Sequence, residues 1–206
     1  MISPPLRALL KRVSRSFYLS VRVLPSAVQA QVALGYLLAR AADTVADTPL
    51  LPKEVRAEIL AELRAAVAGG DPTRLLDRLR ELLRVAPADH PAALAERELL
   101  LVVGQCLGLL RQLSAADQRL IERVLDQLAH GMTVDLARFP AAEAAVAPAR
   151  VVALATLAEL DEYTYFAAGC VGEFWTDLMA QHIAGMEPLA ASGLRQRGVD
   201  LGKALQ

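Results

Sequence analysis

The fold is decided by residues 33–47, which read Ala33-Leu34-Gly35-Tyr36-Leu37-Leu38-Ala39-Arg40-Ala41-Ala42-Asp43-Thr44-Val45-Ala46-Asp47. At about 100° per residue, the polar side chains of a helix here fall on one stripe: Tyr36, Arg40, Asp43 and Asp47. Nearly every other residue is Ala, Leu, Val or Gly, and a helix that is apolar all round belongs inside a protein. Since unpaired buried charge is costly, the stripe predicts a polar cavity beside a buried helix.

The two acids of this stretch allow two interpretations. Carboxylates four residues apart lie about 5–6 Å from one another on one helix face, where they repel unless cations lie between them. Hard divalent cations, with waters and a phosphate group completing their coordination, fit such a face. Alternatively, Asp43 and Asp47 simply pair with Arg40 and cap the helix before Pro49.

The composition indicates an all-α protein without a nucleic-acid partner. Hydrophobic residues make up 54% of the 206 residues, and much of this excess is Ala and Leu, the strongest helix formers. The net charge of −1 gives no electrostatic reason for binding nucleic acid. The sequence contains no unbroken apolar run of about 18 residues, so no membrane-spanning helix is expected.

The cysteines, the histidines and the N-terminal residues favour a reducing, cytoplasmic location. Cys106 and Cys170 lie in apolar helical stretches and form no disulfide framework. The three histidines have no Cys or His partner at metal-ligand spacing, which argues against zinc. Only short apolar pieces lie between the basic residues of the N-terminus, and this pattern differs from that of a secretion signal.

Helix and loop signals alternate along the chain, which predicts a single all-α domain over residues 1–206. Helices are expected over residues 4–19, 26–47, 53–68, 72 to about 85, 92–113, 149–182 (as one helix or two) and 189–206. Ser114 is the expected N-cap of a further helix, with Asp117 three residues on in the manner of a capping box. Gly169 and Gly172 would let a neighbouring helix or a ligand approach closely.

The end of the first predicted helix allows two interpretations as well. The hydroxyls of Ser14 and Ser16, together with Arg15, form either an anion site or a solvated surface. The sequence has no Gly-rich phosphate loop, no G-x-S-x-G segment and no Cys/His pair, so nucleophilic catalysis is not indicated.

Three segments carry a resemblance to a known family. They are Ser14-Arg15-Ser16-Phe17-Tyr18 followed by Leu24-Pro25, then Tyr36-x-x-x-Arg40-x-x-Asp43-Thr44-x-x-Asp47, then Asp161-Glu162-Tyr163 with Ala168-Gly169-Cys170-Val171-Gly172. In this order they resemble the squalene and phytoene synthases, which are head-to-head prenyl transferases. The residues of the second segment are most similar to those of bacterial squalene synthases. The resemblance implies the all-α isoprenoid synthase fold, with helices surrounding a central cavity.

The resemblance also implies roles for residues of the first two segments. Asp43 and Asp47 would hold Mg²⁺ that bridges to the diphosphate of the substrate. Diphosphate oxygens would be contacted by Arg40, Ser14 and Ser16.

Further roles follow from the resemblance for aromatic residues and glycines. Tyr36 and Tyr163 would line the reaction centre, where they would steady a carbocation or position the departing diphosphate. Phe17 would contact the prenyl chain near its reacting end. Gly169 and Gly172 would help to form an apolar tunnel for the substrate.

The implied activity is the Mg²⁺-dependent condensation of two farnesyl diphosphates to presqualene diphosphate and then, with NADPH, to squalene. A phytoene or dehydrosqualene synthase is an alternative, and so is a non-catalytic member that serves as a binding or assembly module. Peripheral contact with a membrane is expected because substrate and product are apolar.

The family carries a second acidic motif, N-x-x-x-D-x-x-x-D, on a late helix. Residues 198–206 resemble only the lead-in to that motif. We therefore expect a chain that is truncated before the motif, lacks the C-terminal helices of the family and is inactive by itself.

Overall fold

A computed structural model describes residues 3–14, 17–85, 91–139, 152–186 and 193–206. Within these ranges all regular secondary structure is helical, as the composition predicted. The helices are α1 (Pro4–Val13), α2 (Phe17–Val23), α3 (Ser26–Asp47), α4 (Lys53–Val67), α5 (Thr73–Val85), α6 (Pro91–Leu101), α7 (Val103–Leu110), α8 (Ala115–Arg138), α9 (Leu157–Thr164), α10 (Cys170–His182) and α11 (Arg195–Leu205). A π-helical turn, Tyr165–Gly169, joins α9 to α10.

The contacts within the chain define two compact units, Met1–Arg119 and Leu120–Gln206. The expectation of a single domain over residues 1–206 stays a prediction. In the part of the chain that the structure describes, no helix has both the length and the apolar character needed to cross a membrane.

Helix α3 is the central element of the first unit, and its bounds, Ser26–Asp47, confirm the helix predicted for residues 26–47. It packs against α1, α2, α4, α6 and α7. Leu37 and Leu38 are fully buried, and burying a leucine side chain contributes about 1.5–3 kcal/mol. Apolar packing on most of its surface therefore holds α3 in place, so its polar stripe is free to serve another purpose.

Two helices that the sequence predicted as continuous are each interrupted. The prediction for residues 4–19 is wrong, because α1 ends at Val13, the Ser14 N–H bonds to the Leu10 carbonyl, and α2 begins at Phe17. The prediction for residues 92–113 is wrong as well, because Val102, at φ −93° and ψ 3°, separates α6 from α7. Apolar spacing continues across both breaks, so periodicity alone does not reveal them.

The start of α8 confirms Ser114 as an N-cap. The Ser114 Oγ accepts a hydrogen bond from the Asp117 N–H over 3.1 Å, which satisfies one of the free donors of the first turn. The Asp117 carboxylate also accepts from Gln31 Nε2 over 3.2 Å. Both residues are buried, so this contact fixes the first turn of α8 to α3.

In the second unit, helix α9 begins with a capping box. Thr156 Oγ1 accepts from the Glu159 N–H over 3.1 Å, and Glu159 Oε2 accepts from the Thr156 N–H over 3.3 Å. Among the described residues, the helical run predicted for 149–182 therefore begins at Leu157. The π-helical turn inserts one extra residue, which rotates the side chains of α10 relative to those of α9.

The last helix of the second unit, α11, packs on α9, α10 and the π-helical turn. It confirms Arg195–Leu205 within the helix predicted for residues 189–206, of which residues 189–192 lie outside the described ranges. A Cβ on Gly172 would lie 1.9 Å from the Gly198 carbonyl oxygen, and a Cβ on Gly198 would lie 2.7 Å from the Gly172 oxygen. Gly172 lies in α10 and Gly198 in α11, so the backbones of these two helices are in direct contact.

Each unit contains one buried cysteine, and burial raises the pKa of both Cys106 and Cys170 to about 12. Because the thiolate is the reactive form, we expect neither thiol to react with an aromatic disulfide reagent at about pH 8 without denaturant, and both to react in urea. Single Cys→Ser variants would report the opening of each unit separately. A thiol that reacts like free cysteine in the native protein would contradict the packing of its unit.

Candidate active site

The polar stripe of α3 borders a cavity in the first unit. Arg40, Asp43 and Thr44 are half-buried, whereas Asp47 lies more exposed at the end of the helix. The cavity has a volume of ≈ 240 Å³. Its polar lining comprises Arg40, Asp43, Thr44, Asp47, Thr48, Glu96 and Arg97, and its apolar lining includes Leu50, Leu82, Leu83 and Leu100. Charged groups and apolar walls thus meet in one small space.

Arg40 holds two carboxylates from two different helices. Its Nη1 donates to Asp43 Oδ2 on α3, and its Nη2 donates to Glu96 Oε1 on α6 over 3.0 Å. The ion pair with Asp43 is the one expected from the second interpretation of the acids, and it occurs together with the cavity expected from the first. The Nε of Arg40 is buried and has no hydrogen-bond partner among the described residues. The Nε–H of Arg40 therefore lacks an acceptor within the described ranges, and a ligand would supply one.

Glu96 is a site residue that sequence reasoning missed. It belongs to the charged run of residues 96–98, which suggests a solvated helix face. However, Ala93 and Leu100 are buried, and they lie three residues before and four residues after Glu96. This spacing places Glu96 on the inward side of α6. The spacing between these apolar residues is the sequence signal that identifies Glu96 as a site residue.

The pKa of Asp47 reports the balance of charge and burial in the site, and it is raised above the ordinary value of an aspartate. The largest cause is loss of solvent around the carboxyl group, and the second is the negative charge of Asp43. Glu96 also raises the pKa, whereas Arg40 and Arg56 lower it. The balance at this end of the cavity therefore favours additional positive charge.

We expect Asp47→Asn to raise the thermal unfolding midpoint at about pH 7, because the folded protein disfavours the ionised carboxylate. A group with a raised pKa stabilises the fold below its unfolded-state pKa, and this contribution is lost as the pH rises through the folded-state pKa. The difference in unfolding midpoint between Asp47→Asn and the parent protein should therefore become smaller as the pH is lowered. Scanning calorimetry over a pH series measures it.

Asp71 offers a control of opposite sign. Its carboxylate accepts hydrogen bonds from the hydroxyl of Thr73 over 2.7 Å and from its N–H over 3.0 Å, and these bonds lower the pKa of Asp71. Asp71→Asn should consequently not raise the midpoint at about pH 7. A midpoint of Asp47→Asn below that of the parent at this pH would contradict the electrostatic account.

The break between α1 and α2 brings three predicted site residues together. The rings of Phe17 and Tyr36 stack with centroids 4.6 Å apart and planes inclined by 23°. The Tyr36 hydroxyl donates to the Val13 carbonyl over 3.3 Å, next to Ser14. Ser14 is buried, and its Oγ has no hydrogen-bond partner among the described residues. Ser16 lies outside the described ranges.

The remaining predicted site residues belong to the second unit. Tyr163 is half-buried in α9. A Cβ on Gly169 would lie 3.2 Å from Lys203 Cγ, and the Cβ position of Gly172 is occupied by the backbone of Gly198. Of the two neighbours that the sequence left open, a helix or a ligand, the structure shows a helix at both glycines. Their contact with a substrate, like the role of Tyr163, stays a prediction.

The donor set of α3 fits magnesium bound together with a substrate. No group of three or more His, Cys, Asp and Glu side chains in the described ranges is arranged to hold a metal ion. Mg²⁺, however, keeps several waters and is commonly bound by one or two carboxylates plus substrate phosphates. Asp43 and Asp47 supply two such carboxylates, and their mutual repulsion is the kind that a cation relieves.

The fold and the site together define an all-α protein with a carboxylate-lined cavity. The sequence model of the squalene/phytoene synthase family matches residues 10–206, and the chain therefore belongs to this family. The resemblance that three short segments indicated is thus confirmed.

Individual relatives agree with this assignment. The squalene synthase of Solanum lycopersicum is 26% identical over 186 residues, which cover 90% of this chain and 38% of the relative. The structure of TcSQS with the ligand E5700 matches with a TM-score of 0.60 and 26% identity, over 85% of this chain and 43% of that one. TcSQS with BPH1237 matches with a TM-score of 0.59 and 23% identity, over 94% and 49% of the two chains.

These matches confirm the predicted all-α isoprenoid synthase fold. The chain spans less than half the length of each of these relatives.

Proposed function

We propose that this chain supplies Asp43 and Asp47 as one acidic motif of an enzyme that condenses two farnesyl diphosphates head to head, through presqualene diphosphate, to squalene. The supporting observation is the line of Arg40, Asp43 and Asp47 beside a cavity, on a helix that is otherwise buried. A ligand that combines cations with a phosphate anion offsets charges of both signs on such a line. Farnesyl diphosphate is the favoured substrate because the similar proteins are squalene synthases.

Asp43 and Asp47 would hold the Mg²⁺. When bound, this ion neutralises the charge that develops on a departing diphosphate. The cavity of ≈ 240 Å³ is smaller than the roughly 300–1,000 Å³ of most ligand pockets, so we assign it to the diphosphate end of the substrate alone.

Arg40 would donate from its buried Nε to a diphosphate oxygen. Asp43 and Glu96 already fix its two terminal nitrogens, so the guanidinium plane is oriented before the ligand arrives. Donors that are fixed in advance stabilise developing negative charge most effectively. The buried Oγ of Ser14, which lacks a partner among the described residues, would be a second donor.

The stacked rings of Phe17 and Tyr36 would face the positive end of the reaction. An aromatic face attracts a cation, and this attraction is stronger where water is excluded. The ring pair would therefore steady the allylic carbocation that remains when the diphosphate leaves. Following the family pattern, we also propose a role in the reaction for Tyr163 of α9.

Two further participants belong to the proposal. Reduction to squalene would need NADPH, for which no nucleotide site is evident among the described residues. Peripheral membrane contact is proposed because a farnesyl chain and its hydrocarbon product are apolar.

The complete protein that contains this chain should release diphosphate from farnesyl diphosphate in the presence of Mg²⁺, and squalene should appear when NADPH is added. Parallel reactions with the C20 diphosphate, and reactions without NADPH, separate the related activities. A product formed only from the C20 substrate would reassign the protein to phytoene synthesis. Formation of dehydrosqualene without consumption of a reductant would reassign it to dehydrosqualene synthesis. No diphosphate release from either substrate would refute the enzyme assignment and favour a binding or assembly module.

A further inference from the structure

The N-terminal part of the chain has an unusual charge distribution. Residues 1–42 contain six Arg and Lys residues and no Asp or Glu, although the whole chain has a net charge of −1. Two of these cations, Arg12 and Arg40, form ion pairs with acids of α3 and α6. Arg7, Lys11 and Arg22 are exposed and form no ion pair with the described residues. This part of the surface therefore carries uncompensated positive charge.

Arg7 of α1 and Arg22 of α2 lie on the same side of the first unit, and Lys11 lies one helical turn after Arg7. Arg7 and Arg22 line one cavity of ≈ 540 Å³, together with the buried apolar residues Leu10 and Val21. The Arg22 guanidinium lies 5.9 Å from the centroid of the Tyr18 ring, an arrangement typical of a cation–π contact. Positive charge and apolar surface are thus adjacent across two helices.

Helix α2 adds exposed apolar side chains to this positive surface. Leu19 is 62% exposed and Val23 is 83% exposed. They lie one helical turn apart, on either side of Arg22 in the sequence, and are therefore neighbours on the helix surface. Apolar side chains flanked by basic residues are typical of elements that rest on anionic membranes, where charge attracts and apolar groups enter the headgroup layer.

We propose that an N-terminal face, formed by Arg7, Lys11, Leu19, Arg22 and Val23, docks on anionic lipid membranes. The cations would contact lipid phosphates, while the two apolar side chains would enter the headgroup layer. Charge complementarity favours this occupant over a second copy of the same face, since two such faces repel each other. The inference specifies the membrane contact proposed above but does not rest on catalysis, because binding is measured without substrate.

Vesicle binding tests the proposal with the complete protein. We expect cosedimentation with phosphatidylcholine vesicles that contain about one third phosphatidylglycerol, little with phosphatidylcholine alone, and weaker binding as salt screens the charges. Arg22→Glu combined with Val23→Ser should lower the partition coefficient by about tenfold or more, because one charge is reversed and one inserting side chain is lost.

The chain offers a matched control in the same dipeptide at the end of another helix. Arg84 and Val85 end α5, Val85 is 63% exposed, and Arg84 is paired with Glu81 over 3.1 Å. Arg84→Glu combined with Val85→Ser should bind vesicles like the parent. Circular dichroism of both double variants checks that their helical content is unchanged.

Several results would overturn the proposal. They are absence of binding to anionic vesicles, equal binding to neutral vesicles, unchanged binding of the Arg22/Val23 variant, and an equal loss in the Arg84/Val85 control. A changed molar mass of the Arg22/Val23 variant in solution, with unaltered vesicle binding, would instead assign the face to contact between copies. Diphosphate release is measured separately on soluble substrate, so failure of membrane docking and failure of the enzyme assignment are distinguishable.

Discussion

Asp43→Asn should lower the rate of diphosphate release from farnesyl diphosphate by about 10²-fold or more, the usual cost of removing one group that stabilises developing charge. Asn keeps the shape of Asp and still offers an oxygen to Arg40, so the fold should be preserved. It lacks the negative charge that a magnesium ion requires. The rate is measured at saturating substrate and Mg²⁺, so that the loss appears in kcat.

A second Arg–Asp pair of the same spacing provides the control for this substitution. Asp77 pairs with Arg80 over 2.5 Å at the surface of α5, where the Asp77 side chain is 63% exposed. Asp77→Asn removes an i,i+3 ion pair, as Asp43→Asn weakens one, but lies away from the cavity lining. It should leave the rate unchanged. Full activity of Asp43→Asn, or equal losses in both variants, would reject Asp43 as a metal ligand.

Gly172→Ala should destabilise the second unit by about 3 kcal/mol, at the upper end of typical overpacking costs. The added Cβ would lie 1.9 Å from the Gly198 oxygen, 2.4 Å from its carbonyl carbon and 3.1 Å from the Val199 nitrogen. These are backbone atoms, so no side-chain rotation relieves the overlap and α11 must move away from α10. Urea denaturation followed by circular dichroism measures the effect. Because Cys170 is the first residue of α10, its thiol should become reactive at lower urea.

Gly108 in α7 is the control for the same substitution, since a Cβ there would meet nothing within 4 Å. Gly108→Ala should raise the free energy of unfolding by about 0.5–1 kcal/mol, because alanine loses less backbone entropy in a helix. If Gly172→Ala were as stable as the parent protein, the backbone contact between α10 and α11 would be wrong.

The most accurate sequence predictions concern features that depend on local spacing. Helix α3 has the bounds that its flanking prolines and its apolar composition indicated. The shared face of Arg40, Asp43 and Asp47 follows from the 3.6-residue period alone, and the cavity lies beside that face. Ser114 was recognised as a cap because capping is a contact between residues three apart.

The wrong predictions concern breaks within apolar runs. The chain leaves helical geometry at Ser14, and again at Val102, although the hydrophobic spacing continues through both places. The direction that a chain takes after such a break depends on the neighbours against which it packs. After the first break, the chain runs so that the ring of Phe17 stacks on the ring of Tyr36.

The sequence by itself determined the all-α class, the family, the central helix and the line of charges that points to magnesium and diphosphate. Only the tertiary structure decided which groups distant in sequence contact those charges and the neighbouring helices. Glu96 reaches Arg40 across 56 positions of sequence, and the glycines of α10 meet α11 rather than open space. The physical reason is that helical periodicity is a property of a few neighbouring residues, whereas contacts between helices depend on how the intervening loops close and the apolar faces pack.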